Sequence, residues 1–191
     1  ATVLMATLVV GPFYLSRGLG LATAAVGLAM SVGPVVTALT GVPAGRLADR
    51  VGSSRLTLAG LGGVVAGCVL LASLPARVGL AGYLAGMVVT TASYACFQTA
   101  NNTAVMANVA SDRRGVISGL LNLSRNLGLV TGATLMGALF ALGCGSDDVV
   151  TAPPAAVAAG LHITFAIAAG LAGAAFALQH ARGLRTVDRP Q

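Results

Sequence analysis

Charged residues are scarce in this sequence, and their scarcity excludes a soluble globular domain. Only 8% of the 191 residues are charged, whereas a soluble domain carries about a quarter. Hydrophobic residues make up 56% of the chain, and its mean hydropathy is +0.88. A chain with so few charged residues cannot form the hydrated surface that a soluble protein needs. We therefore expect an all-α, polytopic membrane protein whose solvent is the lipid bilayer.

Glutamate, lysine and tryptophan are absent, so every basic residue is an arginine and every acidic one an aspartate. The arginines occur in short clusters between apolar segments, which favours membrane orientation over a nucleic-acid partner. The aspartates all lie in predicted loops or in the C-terminal tail, at positions 49, 112, 147, 148 and 188. The sequence therefore predicts no carboxylate at membrane depth.

Cysteine is also rare, and its spacing excludes the usual cysteine chemistry. Cys68, Cys96 and Cys144 are too scattered for a metal site, and two of them lie within apolar segments. We expect buried or isolated thiols, no metal and no cofactor. Glycine, by contrast, occurs 26 times, and small residues at this density allow membrane helices to pack closely.

Six apolar segments approach the ~20 residues that a spanning helix needs. The sequence predicts helices near residues 1–16, 22–44, 57–75, 79–107, 115–142 and 156–180. Residue 1 lies directly in an apolar segment without a basic leader, so we expect a clipped first helix rather than a signal peptide. The connections are brief, and short loops join antiparallel neighbours. Residues 1–180 thus form one six-helix lobe, followed by a basic tail at 181–191.

The arginines predict the orientation of this lobe. One end collects eight of them, at positions 46, 50, 55, 113, 114, 182, 185 and 189, whereas the other end holds Arg17 and Arg77. Positively charged loops remain in the cytoplasm. We expect both termini, the second-to-third loop and the fourth-to-fifth loop to be cytoplasmic, in a multi-pass protein of the cytoplasmic membrane.

The connection between the second and third helices carries an ordered motif. It reads Gly41-Val-Pro-Ala-Gly-Arg-Leu-Ala-Asp-Arg-Val-Gly-Ser-Ser-Arg55. Pro43 and Gly45 are expected to end the helix, and Gly45 allows two helix ends to approach. Gly52 suits a sharp turn with positive φ. Asp49 can cap a neighbouring helix N-terminus or pair with an arginine.

The order G-x-L-A-D-R-x-G-x-x-R resembles the signature loop of the major facilitator superfamily. The sequence departs from the family pattern after Gly52, because two serines precede Arg55. The matching residues are Gly45, Leu47, Ala48, Asp49, Arg50 and Gly52. A longer stretch, 97–140, resembles the fourth and fifth helices of the second half in drug:proton antiporters of that superfamily. The resemblance implies the C-terminal half of a major facilitator fold, either helices seven to twelve of a twelve-helix carrier or the equivalent late helices of a fourteen-helix one.

The resemblance also implies a mechanism. In this family the loop is a conformational latch, so Asp49 would contact a helix N-terminus in the opposite half, with Arg50 as its local partner. The implied partners are a missing N-terminal half, the bilayer, a small-molecule substrate and a coupling proton. The implied activity is proton-coupled efflux of small amphipathic compounds by alternating access.

Polar residues at membrane depth are the candidates for substrate contact, because burying them in lipid is costly. Tyr94, Gln98 and Asn101 repeat at i, i+4 and i+7 on one helical face, and Asn102 adjoins them. The resemblance places this helix at the central cavity. Interhelical hydrogen bonding, worth about 1 kcal/mol each, is the alternative role.

Arg125 lies on the fifth helix, ~15 Å from its start and near the bilayer centre. Arginine does not readily lose its proton, so it must face water, a partner or the protein interior. The sequence offers no acidic partner at that depth. Either the missing half supplies one or Arg125 attracts an anionic substrate group.

The fifth helix also contains two small-xxx-small pairs, Gly115/Gly119 and Gly128/Gly132, which predict close helix crossings.

Three other functions compete with proton-coupled efflux. A different major facilitator carrier would work by uniport or metabolite exchange, and a six-helix half-transporter or structural protein would dimerise. An intramembrane protease needs a serine in a G-x-S-G setting, but Val116-Ile117 precede Ser118-Gly119 and His162 lies near the opposite face. We therefore predict that the chain is not an enzyme.

Overall fold

The computed structural model describes residues 1–107, 109–145 and 151–187, and its regular structure is helical. The main helices are α1 (Thr2–Phe13), α2 (Thr23–Val51), α3 (Ser53–Ser73), α4 (Leu80–Ala107), α5 (Arg114–Cys144) and α6 (Pro154–Val187). A π-helical stretch, Tyr14–Gly18, extends α1, and a single turn, Pro75–Val78, precedes α4. A 3₁₀ turn, Ser111–Arg113, precedes α5. No strand occurs in these described ranges.

Five of these helices, α2 to α6, are long and apolar enough to cross a membrane. The first is shorter: α1 has 12 residues and its π-helical extension adds 5, so together they reach ~25 Å. The hydrocarbon core is ~30 Å thick. The described part of the chain therefore has five helices of spanning length and one shorter helix, where the sequence predicted six spans.

The predicted loop between the second and third helices is almost absent, which corrects both predicted boundaries. Pro43 and Gly45 do not end α2, which continues to Val51, and α3 begins at Ser53. Membrane helices tolerate proline because neighbouring groups satisfy the backbone that it leaves unpaired. The break is Gly52 alone, whose φ of +90° confirms the predicted positive φ.

Neighbouring helices alternate in direction, as their short connections predict. On α3 and α4, Gly60 lies beside Phe97 whereas Gly67 lies beside Thr90, so these two helices run antiparallel. On α1 and α5, Thr2 lies beside Gly132 and Phe13 packs on Phe140 with ring centroids 5.9 Å apart. These two helices therefore run parallel.

This alternation puts the connections of the chain at two opposite ends. The Tyr14 hydroxyl donates a hydrogen bond to the Pro75 carbonyl at 3.0 Å, which ties together the ends of α1 and α3. Arg17 and Arg77 lie at this end. The α2–α3 and α4–α5 connections lie at the other end, which we call the arginine-rich end, and which carries Arg46, Arg50, Arg55, Arg113 and Arg114.

The core lies where α3 packs against α4 and α6, and α1 packs against α5 and α6. Tyr83 is fully buried there, and its hydroxyl donates to the Thr7 carbonyl at 3.2 Å. Glycines permit the close approach: an added Cβ at Gly67 would lie 2.7 Å from the Thr90 backbone nitrogen. In contrast, α4 and α5 touch little, and they leave a cleft between them.

The two glycine pairs of α5 have different surroundings. A Cβ on Gly132 would lie 2.6 Å from the Thr2 carbonyl oxygen, so α1 and α5 cross closely there. Gly115 and Gly119 have nothing within 4 Å of a Cβ position, and neither does Gly45. The close approaches predicted at these three glycines are therefore not made among the described residues.

Several predictions concern residues outside the described ranges: the aspartates at 147 and 148, and residues 188–191 of the predicted tail. The backbone of α6 is helical to Val187, beyond the predicted helix end at residue 180.

Candidate functional site

The cleft between α4 and α5 contains a cavity of about 490 Å³. This volume falls within the ~300–1,000 Å³ of small-molecule sites. We call it the polar cleft, and its lining residues are Ala1, Thr2, Tyr94, Phe97, Gln98, Asn101, Asn102, Met106, Ser118, Leu121, Asn122, Ser124, Arg125 and Gly128.

The α4 wall is the polar face predicted from the sequence. Tyr94, Gln98, Asn101 and Asn102 all line the cleft, together with Phe97. Counted from the end of α4 at Ala107, these residues lie ~8–20 Å from the arginine-rich end, so they extend to the middle of a ~30 Å hydrocarbon core. These side chains share one wall of the cleft because their spacing along the sequence matches the period of the α-helix.

The α5 wall is centred on Arg125, which lies across the cleft from α4. Its guanidinium interacts with the Tyr94 hydroxyl at close range, so the two walls meet at this pair. The Arg125 side chain is otherwise exposed within the described chain. An arginine at the bilayer centre costs about 3 kcal/mol on insertion scales, and it therefore requires a polar environment. The cleft provides that environment.

No carboxylate reaches Arg125 in the described part of the chain. The aspartates described there, Asp49 and Asp112, both lie at the arginine-rich end, at the end of α2 and before α5. Arg125 lies ~15 Å or more along α5 from Asp112. The side chains of the cleft therefore combine the Arg125 guanidinium with neutral hydroxyl and amide groups.

A second cavity, of about 250 Å³, lies on the α2 side of the same arginine. It shares Tyr94, Gln98, Asn102 and Arg125 with the polar cleft. Its other lining residues are Leu4, Thr37, Gly41, Ala95 and Thr99. Arg125 thus borders both cavities, and a group entering from either side meets its guanidinium.

Several lining residues of α5 and α2 were not predicted from the sequence. Ser118, Leu121 and Gly128 line the cleft, and Thr37 lines the second cavity. Ser118, Leu121 and Gly128 follow the helical period that passes through Arg125 at i−7, i−4 and i+3. That spacing was available in the sequence. The position of α2 across from α4 was not.

The motif residues at the end of α2 are far from the cleft. Asp49, Arg50 and Arg55 are exposed. Among the described residues, the side chains of Asp49 and Arg50 make no hydrogen bond or ion pair, so the local pairing implied by the family resemblance is not formed. Both side chains are free to meet another surface.

The protease elements do not come together either. His162 Nδ1 lies 2.9 Å from the Ala72 carbonyl oxygen on α3, whereas Ser118 lies one turn from the start of α5, near the arginine-rich end. No group of three potential metal ligands among His, Cys, Asp and Glu occurs in the described ranges.

The chain is similar to known proteins of one family. The Major Facilitator Superfamily profile matches residues 1–190. The uncharacterized transporter YebQ of Escherichia coli is 33% identical over 125 residues, which are 65% of this chain and 27% of YebQ.

Two further relatives are each 27% identical. The riboflavin transporter RibZ of Clostridioides difficile aligns over 68% of this chain and 28% of its own length. The multidrug efflux pump LfrA of Mycolicibacterium smegmatis aligns over 66% of this chain and 25% of its own length. The chain thus covers about a quarter of the length of the curated relatives it matches.

The family match spans nearly the whole chain. This match agrees with the long apolar helices and with their alternating directions. The chain belongs to the major facilitator superfamily and is a multi-pass membrane protein.

Proposed function

We propose that this chain is the C-terminal six-helix lobe of a secondary active transporter that exports small amphipathic compounds in exchange for protons. The observation that carries the proposal is the polar cleft, a drug-sized space that reaches membrane mid-depth and is lined by one strongly polar wall on α4. In alternating access, two such lobes rock against each other around a midplane site.

The exposed helices support a second lobe. Next to Thr37 and Gly41, which line the second cavity, α2 exposes large apolar side chains such as Leu39 at 71% and Val42 at 65%. The first turns of α5 are similarly open, with Val116 exposed at 67% and no atom within 4 Å of a Cβ on Gly115 or Gly119. Because these surfaces flank the cleft, a partner lobe that packed on them would close it.

Asp49 and Arg50 fit the same arrangement. Their exposed side chains stand at the arginine-rich end, where the helix N-termini of a partner lobe would attract a carboxylate. In this proposal Asp49 is the latch acceptor, and Gly45, Gly52 and Arg55 shape the motif around it. The arginine-rich end faces the cytoplasm, and the membrane is the cytoplasmic membrane.

In a proton-coupled carrier of this kind, the two lobes have different roles. The described residues have no carboxylate at membrane depth, so the titrating group belongs to the partner lobe. The polar residues of this lobe bind and orient the amphipathic compound.

The test is flux through the carrier assembled from this lobe and its complementary lobe in proteoliposomes. A fluorescent amphipathic probe is followed with and without an imposed pH gradient. We expect the gradient to drive probe movement against its own concentration gradient. Flux that only follows the probe's gradient would instead assign the protein to the uniporters, and flux that requires a counter-substrate would assign it to the exchangers.

The alternative is a lobe that pairs with a second copy of itself. The same exposed faces of α2 and α5 would then form a two-fold interface. Size measurement in detergent separates the two cases, because a dimer of identical lobes forms without any other chain.

A further inference from the structure

We infer that Arg125 is an anion-recognition residue, and that the compounds held in the polar cleft carry an anionic group next to an apolar body. This inference rests on the proposed function, because it names the chemical class of the transported compound. It starts from the side chains of the cleft, among which Arg125 is the charged one, with no carboxylate among the described residues.

The hydrogen-bonding groups point in the same direction. Tyr94, Gln98 and Asn102 line both cavities together with Arg125, and the hydroxyl and amide groups of these three residues can each donate a hydrogen bond to an anion. The guanidinium presents donors in a planar fork that matches the oxygens of a carboxylate, sulfonate or phosphate. Tyr94 interacts with this fork from the α4 side.

Access and the apolar lining complete the site. Arg125 borders both cavities, so an anionic group can reach it from either side. Phe97, Met106 and Leu121 line the larger cavity and provide the surface for an apolar body. Within the low-dielectric membrane, a guanidinium without a carboxylate partner attracts an anion more strongly than it would in water.

The experiment measures equilibrium binding to the intact carrier in detergent by dialysis, with two probes of nearly equal shape. Naphthalenesulfonate carries the charge, and naphthalenesulfonamide does not. We expect the wild-type carrier to bind the sulfonate more tightly than the sulfonamide. Arg125→Gln should weaken sulfonate binding about tenfold and leave sulfonamide binding unchanged. Arg125→Lys keeps the charge without the fork and should retain part of the preference.

The matched control is Asn126→Ala. Asn126 is the next residue on α5, is exposed and does not line either cavity. This variant should bind both probes like the wild type.

Three outcomes would overturn the inference. Equal wild-type affinity for the two probes would show that another group neutralises Arg125. An equal loss of affinity for both probes in Arg125→Gln would show that the arginine maintains the shape of the cleft and does not recognise the charge of the ligand. Unchanged binding in that variant would exclude it from the site. Binding does not depend on flux, so a carrier that binds the sulfonate without transporting it would contradict the proposed function and leave this inference intact.

Discussion

Two charged residues carry most of the functional argument, and their surroundings differ completely. Arg125 lies in a cleft between helices, beside a tyrosine, at the depth where a charge is costly. Asp49 lies exposed at the end of α2, where water or another protein surface can meet it. We propose that Arg125 binds a ligand in the cleft and that Asp49 contacts a partner surface.

Replacement of Asp49 by asparagine tests its proposed role as a latch. An interaction between a carboxylate and a helix N-terminus contributes about 0.3–1 kcal/mol, and up to ~2 kcal/mol in partly buried sites. We expect Asp49→Asn to lower transport of the amphipathic probe several-fold, because the conformational equilibrium shifts by that free energy. Membrane insertion and expression should remain unchanged.

Asp112→Asn is the control for this change. Asp112 lies at the same end of the lobe, also exposed, but outside the motif of residues 41–55. Normal flux in Asp49→Asn would exclude the latch.

At the scale of helices, hydropathy located every main helix, whereas the boundaries depended on backbone details. Pro43 and Gly45 resemble helix terminators in the sequence, yet α2 continues through both to Val51. Only Gly52, with its positive φ, breaks the chain. A breaker residue ends a membrane helix only where no neighbouring group satisfies the backbone, and that depends on tertiary structure.

Helix pairing likewise depends on tertiary structure that the sequence does not show. The sequence singled out the glycines of α5, but the α3–α4 contact depends on Gly60, Gly63 and Gly67, which lie in a segment rich in small residues throughout. Sequence spacing identifies a face of small residues. It does not identify which helix covers that face, so Gly115 and Gly119 were predicted to pack and are open.

The polar cleft was predictable to a greater extent, because its α4 wall follows from periodicity alone. The contribution of α2 was not, since it requires knowing that α2 lies on the far side of Arg125. Long-range neighbours of this kind carry no local signal in a single sequence.

Alanine substitutions at two glycines test the helix pairing directly. Gly67→Ala places a Cβ 2.7 Å from the Thr90 backbone nitrogen and 2.8 Å from its Cα, so α3 and α4 must separate. We expect a loss of about 1–3 kcal/mol in the free energy of unfolding, as for other overpacked sites. Gly119→Ala, in open space on α5, should not destabilise the chain by itself. Thermal unfolding of the detergent-purified chain measures both, and equal midpoints would refute the α3–α4 contact.

At the scale of the whole molecule, charge and direction of the helices agree. The alternation of the helices puts Arg46, Arg50, Arg55, Arg113 and Arg114 at one end, and Arg17 and Arg77 at the other. This separation predicts that the arginine-rich end is cytoplasmic.

Labelling of single cysteines tests this orientation. After Cys68, Cys96 and Cys144 are replaced by alanine, one cysteine is placed at Ser54 or at Ala76, both of which are exposed at opposite ends. An impermeant thiol reagent added outside intact cells should label the cysteine at position 76 and not the one at 54. The reverse pattern would invert the topology.

The central claim is that this chain is one lobe of a two-lobe carrier, and flux through separately purified lobes tests it most directly. This chain is reconstituted alone, then together with the complementary six-helix lobe, and transport of the amphipathic probe is measured under a pH gradient. We predict saturable flux only when both lobes are present, because one lobe forms only one wall of the path. Saturable flux through this chain alone, at a stoichiometry of two copies, would contradict the account.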